Sequence, residues 1–243
     1  MGASLFLIDA LPDGPALHLG GDEGRHAARV QRIGVGETVL VGDGRGTVLT
    51  CSVVAVLPDG LSLTVREQRS HPAPVPRLVV VQALPKGDRG ELAVELLTEL
   101  GVDEIVPWAA SRSIAHWTGP RGEKALAKWR RTAHEATKQS RRAWRPEVAP
   151  LHPTAQVAQR IAAAANAFVL HEDATSPLVS TALDDGGEVV VVVGPEGGVA
   201  PAELEAFTSA GAIAVRLGEP VLRTSTAGAA ALAVLSVRLG RWN

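Results

Sequence analysis

Five valines, Val189 to Val193, run directly into Gly194-Pro195-Glu196-Gly197-Gly198. A buried strand that ends in a glycine turn can bring backbone N–H and C=O groups up to a ligand, because glycine permits close approach of the main chain. Turns of this kind between a strand and a helix commonly cradle phosphate. This one has no Lys after its glycines and lacks the G-x-G-x-x-G spacing, and the Glu196 carboxylate would repel a phosphate. It suits a neutral or cationic ligand held by backbone groups. A second loop follows another short strand: Leu217-Gly218-Glu219-Pro220-Val221-Leu222-Arg223-Thr224-Ser225-Thr226-Ala227. Its Arg223 is a cation beside the turn that can neutralise negative charge or clamp a phosphate. The alternative for Arg223 is a structural bridge to a carbonyl or to Glu219. No side chain stands out as a general base. Glu196, His171 and Glu172 qualify by loop position only, and a structural role is open for each.

Metal and thiol chemistry find little support. The seven histidines show no ligand spacing, and Cys51 is the only cysteine, so neither a zinc site nor an internal disulfide is expected. Cys51 lies in a strand-like run and reads as a buried structural thiol. Residues 1–10 lack the basic segment of a secretory signal, and no apolar run approaches the roughly 20 residues of a membrane helix. A cytoplasmic location is the expectation.

The elements that must carry the two loops alternate. After residue 77 the chain reads as strand 78–83, helix 88–100 with Leu92, Leu96, Leu97 and Leu100 on its packed side, strand 104–107, and a long basic helix 123–142. Helix 154–166, strand 167–171, strand 188–193, helix 201–210, strand 212–217 and helix 226–239 follow. The alternation predicts an α/β domain with a mostly parallel sheet. The first 70 residues differ. Short apolar runs separated by Pro12-Asp13-Gly14, Gly42 to Gly46 and Pro58-Asp59-Gly60 predict a small β-barrel, with Gly42 to Gly46 a hairpin turn. One helix opening at Asp22-Glu23 interrupts it, with Arg25, Arg29 and Arg32 on one face and Val30 and Ile33 turned toward the barrel. His71-Pro72-Ala73-Pro74-Val75-Pro76 reads as a semi-rigid linker. The expected organisation is a β-barrel over 1–70, a linker over 71–77 and an α/β domain over 78–243.

The net charge of -2 conceals a cluster. Between Arg121 and Arg145 stand nine basic and two acidic residues, a local excess of seven positive charges in 25 positions. Such a stretch, with Trp129 and Trp144 inside it, is either a solvated helix face or a contact for RNA. The same two readings apply to Arg25, Arg29 and Arg32.

Taken together, the loops resemble those of the 16S ribosomal RNA uridine-N3 methyltransferases (ribosomal RNA small-subunit methyltransferase E) of the SPOUT superfamily. Gly194-Pro195-Glu196-Gly197-Gly198 followed by Val221-Leu222-Arg223-Thr224 is the specific part. His26 to Arg32, Lys86-Gly87-Asp88, Thr98 to Val102 and Glu135 to Arg141 extend the likeness over nearly the whole chain. Three positions depart from the family pattern. Ser225 stands where Glu is common, Lys138 where an acid is common, and Ala200 at a helix N-cap that favours Ser or Asp.

The resemblance implies a trefoil-knotted, mostly parallel sheet behind an N-terminal PUA-like barrel, and a homodimer. It also implies S-adenosylmethionine as methyl donor, which fits a turn that disfavours phosphate because the sulfonium is positive. The implied cofactor residues are Leu170, Gly194, Pro195, Glu196, Gly197, Gly198, Leu217, Gly218, Leu222, Thr224, Ser225 and Ala227, with Arg223 catalytic. Replacing Gly197 with Val is then expected to abolish cofactor binding. Arg25, Arg29, Arg32, Arg141 and Arg142 are the expected RNA contacts, with 16S ribosomal RNA in the small subunit as partner. Leu232, Leu235 and Leu239 of the last helix are expected at the dimer interface. A non-catalytic RNA-binding or assembly protein on the same fold is the main rival. A dinucleotide oxidoreductase is disfavoured, because Leu84 to Gly90 does not fit its glycine fingerprint.

Overall fold

The computed structural model describes residues 2–184 and 186–242. The chain divides into two compact units, Met1–Ala73 with Thr137–Arg145, and Pro74–Ala136 with Pro146–Asn243. The first unit therefore includes a segment far away in sequence, which a contiguous reading of domains does not anticipate.

The first unit is built on a five-stranded sheet in the order β1-β3-β4-β5-β2. Its strands are β1 (Leu5–Leu7), β2 (Ala16–Leu19), β3 (Thr38–Gly42), β4 (Thr47–Leu57) and β5 (Gly60–Ser70). The pairings leave β1 and β2 at the two edges, so the observed object is a five-stranded sheet and the expected barrel closure is not among them. Gly42 to Gly46 is the hairpin turn between antiparallel β3 and β4. Asp43 Oδ1 accepts the N–H groups of Arg45 and Thr47, and Gly44 and Gly46 take φ of +65° and +106°, a region that disfavours side chains. Cys51 is buried in the core with Phe6, Leu49 and Leu63, and burial pushes its thiol pKa up to about 11, as befits an inert structural thiol.

The helix after β2 departs from the expected regular one. α1 (Gly21–Arg25) passes into a π-helical turn over His26–Val30. The wider turn shifts the register, so Val30 is 67% exposed while Ile33, beyond the helix, is buried. Lys138 sits in this unit as well. Its buried ammonium lies 2.7 Å from Glu23 Oε1, which ties segment 137–145 to α1. The cation that departs from the family pattern thus has an acid of its own.

The second unit is a seven-stranded sheet in the order β10-β12-β9-β11-β6-β7-β8, with every pairing parallel. Its strands are β6 (Arg77–Ala83), β7 (Glu104–Trp108), β8 (Glu147–Val148), β9 (Asn166–Leu170), β10 (Ser176–Pro177), β11 (Glu188–Val193) and β12 (Ile213–Arg216). The two-residue β8 and β10 are too short to announce themselves in sequence. The helices are α2 (Arg89–Glu99), α3 (Gly119–Gln139), α4 (Thr154–Ala163), α5 (Pro201–Ser209) and α6 (Thr224–Arg238). α3 stops before Arg141, whose φ of +54° is left-handed, so Arg141 and Arg142 lie beyond the helix expected to hold them.

Alternation along the valine strands decides which helices cover which face. Val80, Val189, Val191 and Val193 pack with Leu97 of α2, Trp129 of α3 and Leu232 and Leu235 of α6. Val79, Val81, Val190 and Val192 pack with Val157 and Ile161 of α4 and Phe207 of α5. Two expectations change here. Leu92 of α2 is 44% exposed, its place on the packed face being taken by Ala93, Val94 and Leu97. Leu232 and Leu235 are fully buried inside their own unit, and Leu239 packs partly against the same core, so these leucines are spent on the sheet and are not free to form the interface expected of them. Ala200 is the N-cap of α5 as expected, and Glu203 Oε2 reaches back from N3 to accept the Ala200 N–H, while the Glu203 N–H goes to the Ala200 carbonyl in place of a side-chain cap.

At the N-terminal edge of this sheet, Arg160 of α4 donates to Glu104 at 2.6 Å and to Glu188 at 2.5 Å, and Arg77 reaches Glu104 at 3.0 Å. The Glu104 carboxylate is buried and depends on these cations. Arg160→Ala should therefore lower stability by about 3 kcal/mol, the low end for breaking a buried pair, since Arg77 still serves Glu104. Urea unfolding followed by tryptophan fluorescence measures this, and a loss under about 1 kcal/mol would show the network to be solvent-screened.

Candidate active site

Because every strand of the large sheet is parallel, the loops after β6, β9, β11 and β12 leave the same edge. These four strands are neighbours in the order β12-β9-β11-β6. Their loops converge on a cleft of about 380 Å³. That lies within the range of small-molecule sites, and strand-end edges of parallel sheets are where such sites form.

The cleft takes Leu170 from the end of β9 and His171 and Glu172 from the loop after it, Gly194, Pro195, Glu196 and Gly198 from the loop after β11, and Leu217 to Thr224 with Ala227 from the loop after β12 and the start of α6. Gly197 and Ser225 are the two expected members outside its lining. A Cβ on Gly197 would meet Arg112 at 3.2 Å, so that residue faces the β7–α3 loop. Ser225 is buried in the first turn of α6. Sequence reasoning missed Arg89, Val193, Val199, Val215 and Arg216 in the lining. Arg89 begins the helix after β6, and its place after the first strand of a parallel sheet was the signal available for it.

The glycine turn has a defined hydrogen-bonding pattern. Gly198 N–H donates to Pro195 C=O at 2.9 Å, and Gly198 takes a φ of +72°. Glu196, the carboxylate in its middle, accepts the backbone N–H of Lys86 at 3.1 Å and so joins the turn to the loop after β6. The Gly197 carbonyl accepts from Arg112 Nη1 at 3.1 Å, and the Gly194 carbonyl from Thr224 Oγ1 at 2.7 Å. Opposite the turn, Val221 and Leu222 are 74% and 40% exposed. Two apolar side chains left in water beside a cleft make a surface that a flat apolar ligand can cover.

Arg223 is the N-cap residue of α6. Its side chain is exposed and, among the described residues, makes no hydrogen bond or ion pair, so neither Glu219 nor a carbonyl holds it. The three base candidates all line the cleft but differ in freedom. His171 Nδ1 accepts the Asp173 N–H at 3.2 Å, which leaves the proton of a neutral ring on Nε2. Glu196 is engaged with Lys86. Glu172 is exposed and has no protein partner among the described residues.

The five expected RNA contacts all belong to the first unit. Arg25 pairs with Asp22 at 2.5 Å, and Arg29 donates to the Pro58 carbonyl at 2.9 Å. Arg32 has a φ of +55° and no side-chain partner among the described residues. Arg141 donates to the Gly2 carbonyl at 3.1 Å, and Arg142 is half-buried. No helix among the described residues is long and apolar enough to cross a membrane.

A parallel sheet with a strand-end cleft, joined to a small β unit with exposed arginines, defines the class. Residues 71–236 match a family model described as an RNA methyltransferase domain, and residues 19–65 match one described as an RNA methyltransferase PUA domain. The chain belongs to the ribosomal RNA small subunit methyltransferase E family. It is 48% identical to the Mycobacterium bovis protein of that name over 100% of this chain and 95% of the relative. It is 30% identical to the Bacillus subtilis one over 93% and 91%. A crystal structure of a ribosomal RNA small subunit methyltransferase E from Neisseria gonorrhoeae, bound to S-adenosyl methionine, superposes with a TM-score of 0.87 at 26% identity, covering 98% of each chain.

Proposed function

We propose that this chain methylates N3 of a specific uridine in 16S ribosomal RNA, using S-adenosylmethionine as methyl donor. The cleft is the observation that carries the reading. Its walls combine backbone groups of the glycine turn with Leu170, Val193, Val199, Leu217 and Leu222, a lining suited to an uncharged ring and its hydrogen-bonding edge. S-Adenosylmethionine supplies a methyl group already activated on a positive sulfonium. The turn holds no Lys, and Glu196 is compatible with a cationic ligand.

The chain's own residues then have two tasks. The walls hold N3 in line with the methyl, and orientation of this kind supplies much of the acceleration. As the N3–methyl bond forms and the sulfur–methyl bond breaks, the N3 proton leaves and charge spreads to O2 and O4. Arg223, free of internal partners at the cleft, stabilises that charge. Glu172 is the candidate with an uncommitted carboxylate to receive the proton. Ser225 is buried in the first turn of α6 and lies outside the lining. The intact glycine turn argues against the non-catalytic rival.

The same reading includes the trefoil knot, the homodimer, a cytoplasmic location, and the small subunit as the form in which the RNA is met. Labelled S-adenosylmethionine incubated with the protein and small ribosomal subunits, followed by mapping of the modified base, tests the core of it. Label on a base other than uridine, or at a position other than N3, would redirect the specificity.

The first unit holds the RNA backbone in this reading. Arg32 is uncommitted, and Arg29 gives up only one carbonyl bond to reach a phosphate. Arg29→Ala with Arg32→Ala should weaken RNA binding and reduce its salt slope by roughly one unit per Arg lost, with donor affinity unchanged. Filter binding across a salt series reads both. Wild-type affinity and slope in the double variant would leave these arginines as surface decoration.

A further inference from the structure

We propose that Gln82 and Thr224 form a buried relay that positions the glycine turn for the methyl donor, with Gln82 a positioning residue acting through Thr224. This deepens the methyltransferase reading and rests on it. Gln82 stands in β6 between Val81 and Ala83, fully buried, in a strand whose other interior positions are apolar. It is in register with Val193, the last residue of β11 before Gly194. A buried amide is costly unless hydrogen-bonded. Gln82 Nε2 donates at 3.1 Å to the Ala83 carbonyl and at 3.1 Å to Thr224 Oγ1. Thr224 in turn donates to the Gly194 carbonyl at 2.7 Å. A threonine hydroxyl has one proton, so the direction of the relay is set: amide to hydroxyl to carbonyl. It joins the end of β6, the end of β11 and the first residue of α6, next to Arg223.

The comparison with the turn's other two ties decides its weight. Glu196 to Lys86 and Arg112 to Gly197 are exposed bonds that water can replace. The Gln82–Thr224 bond is buried and shielded from water, and the Thr224–Gly194 bond that continues it is part-buried. The relay therefore fixes the peptide plane at Gly194, where the turn lines the cleft. A second observation argues against a purely structural role for the amide. Gln82 Oε1 is buried with no hydrogen-bond partner among the described residues. A half-satisfied amide is a poor stabiliser compared with an apolar side chain of the same size.

The two roles predict opposite signs. Gln82→Met should melt at the wild-type temperature or above, while its dissociation constant for S-adenosylmethionine rises about fivefold, the loss of one ordinary hydrogen bond. Thr224→Val, which keeps shape and removes both relay bonds, should raise that constant by about tenfold or more, and Thr224→Ser should recover most of the loss. Calorimetric titration of the full-length chain, beside thermal unfolding of each variant, reads both quantities. Wild-type affinity in Gln82→Met and Thr224→Val overturns the relay and leaves the methyltransferase reading intact. Affinity losses that merely follow lowered melting temperatures, or a Thr224→Ser variant as weak as Thr224→Val, overturn it as well. Wild-type protein that takes up no S-adenosylmethionine overturns both readings together.

Discussion

Arg223→Ala should lower the rate of methyl transfer by about 100- to 1,000-fold, the cost of removing one donor aimed at a developing oxyanion. Affinity for S-adenosylmethionine and the melting temperature should stay near wild type. The second half of the expectation comes from the side chain's freedom. Among the described residues it makes no ion pair or hydrogen bond, so truncation leaves no internal group unpaired. Its backbone already serves α6 by accepting the N–H groups of Thr226 and Ala227, and Ala keeps both bonds. Single-turnover rates at saturating RNA, compared with the RNA concentration dependence, separate two roles. A fall in the maximal rate places Arg223 against charge on the base. A raised KM with an unchanged maximal rate makes it a phosphate clamp instead. Arg223→Lys should recover only part of the rate, because an ammonium cannot reproduce the planar fork.

Gly194→Val should weaken S-adenosylmethionine binding by about 100-fold or more, close to 3 kcal/mol. A Cβ at residue 194 would lie 2.9 Å from Val199 Cγ2 and 3.3 Å from Val199 N. Both residues line the cleft, so the turn must shift where the ligand has to fit. Gly197→Val, the substitution that the sequence alone singles out, should cost much less. Its Cβ would press on the exposed Arg112 side chain and chain beside it, outside the cleft. Calorimetry on the two variants side by side checks the contrast. Equal losses would return Gly197 to the site and put the cleft boundary in error.

Much of this was legible in residue order because it depends on local chemistry. The run Val189 to Val193 is apolar on both faces, which only a strand covered on both sides by helices tolerates, and the parallel sheet follows from it. Gly101 and Pro201 mark helix ends through the conformations that glycine and proline favour. The glycine turn, the Arg223 loop and their common edge were likewise readable, since strands that all run one way must release their loops together. Periodicity served less well where it assumed a regular helix. It turned Val30 inward, and the π turn over His26–Val30 turned it out. It put Leu92 on the packed side of α2, where Ala93, Val94 and Leu97 are the residues buried.

What only the tertiary structure decided is which side chains meet across long stretches of sequence. Glu196 reads as a puzzling acid in a glycine turn until the Lys86 N–H, 110 residues away, comes within hydrogen-bond reach. Gln82 reads as one polar residue in a valine strand until Thr224, 142 residues away, accepts its amide N–H. Lys138 reads as a departure from pattern until it is seen buried against Glu23. α6 reads as a sticky apolar helix until its leucines are seen to be spent on the sheet. Propensity and spacing act over a few residues, so they determine elements and the chemistry that the loops can offer. Burial, the pairing of buried polar groups and the boundary of a cleft depend on which distant surfaces meet, and no local pattern carries that information.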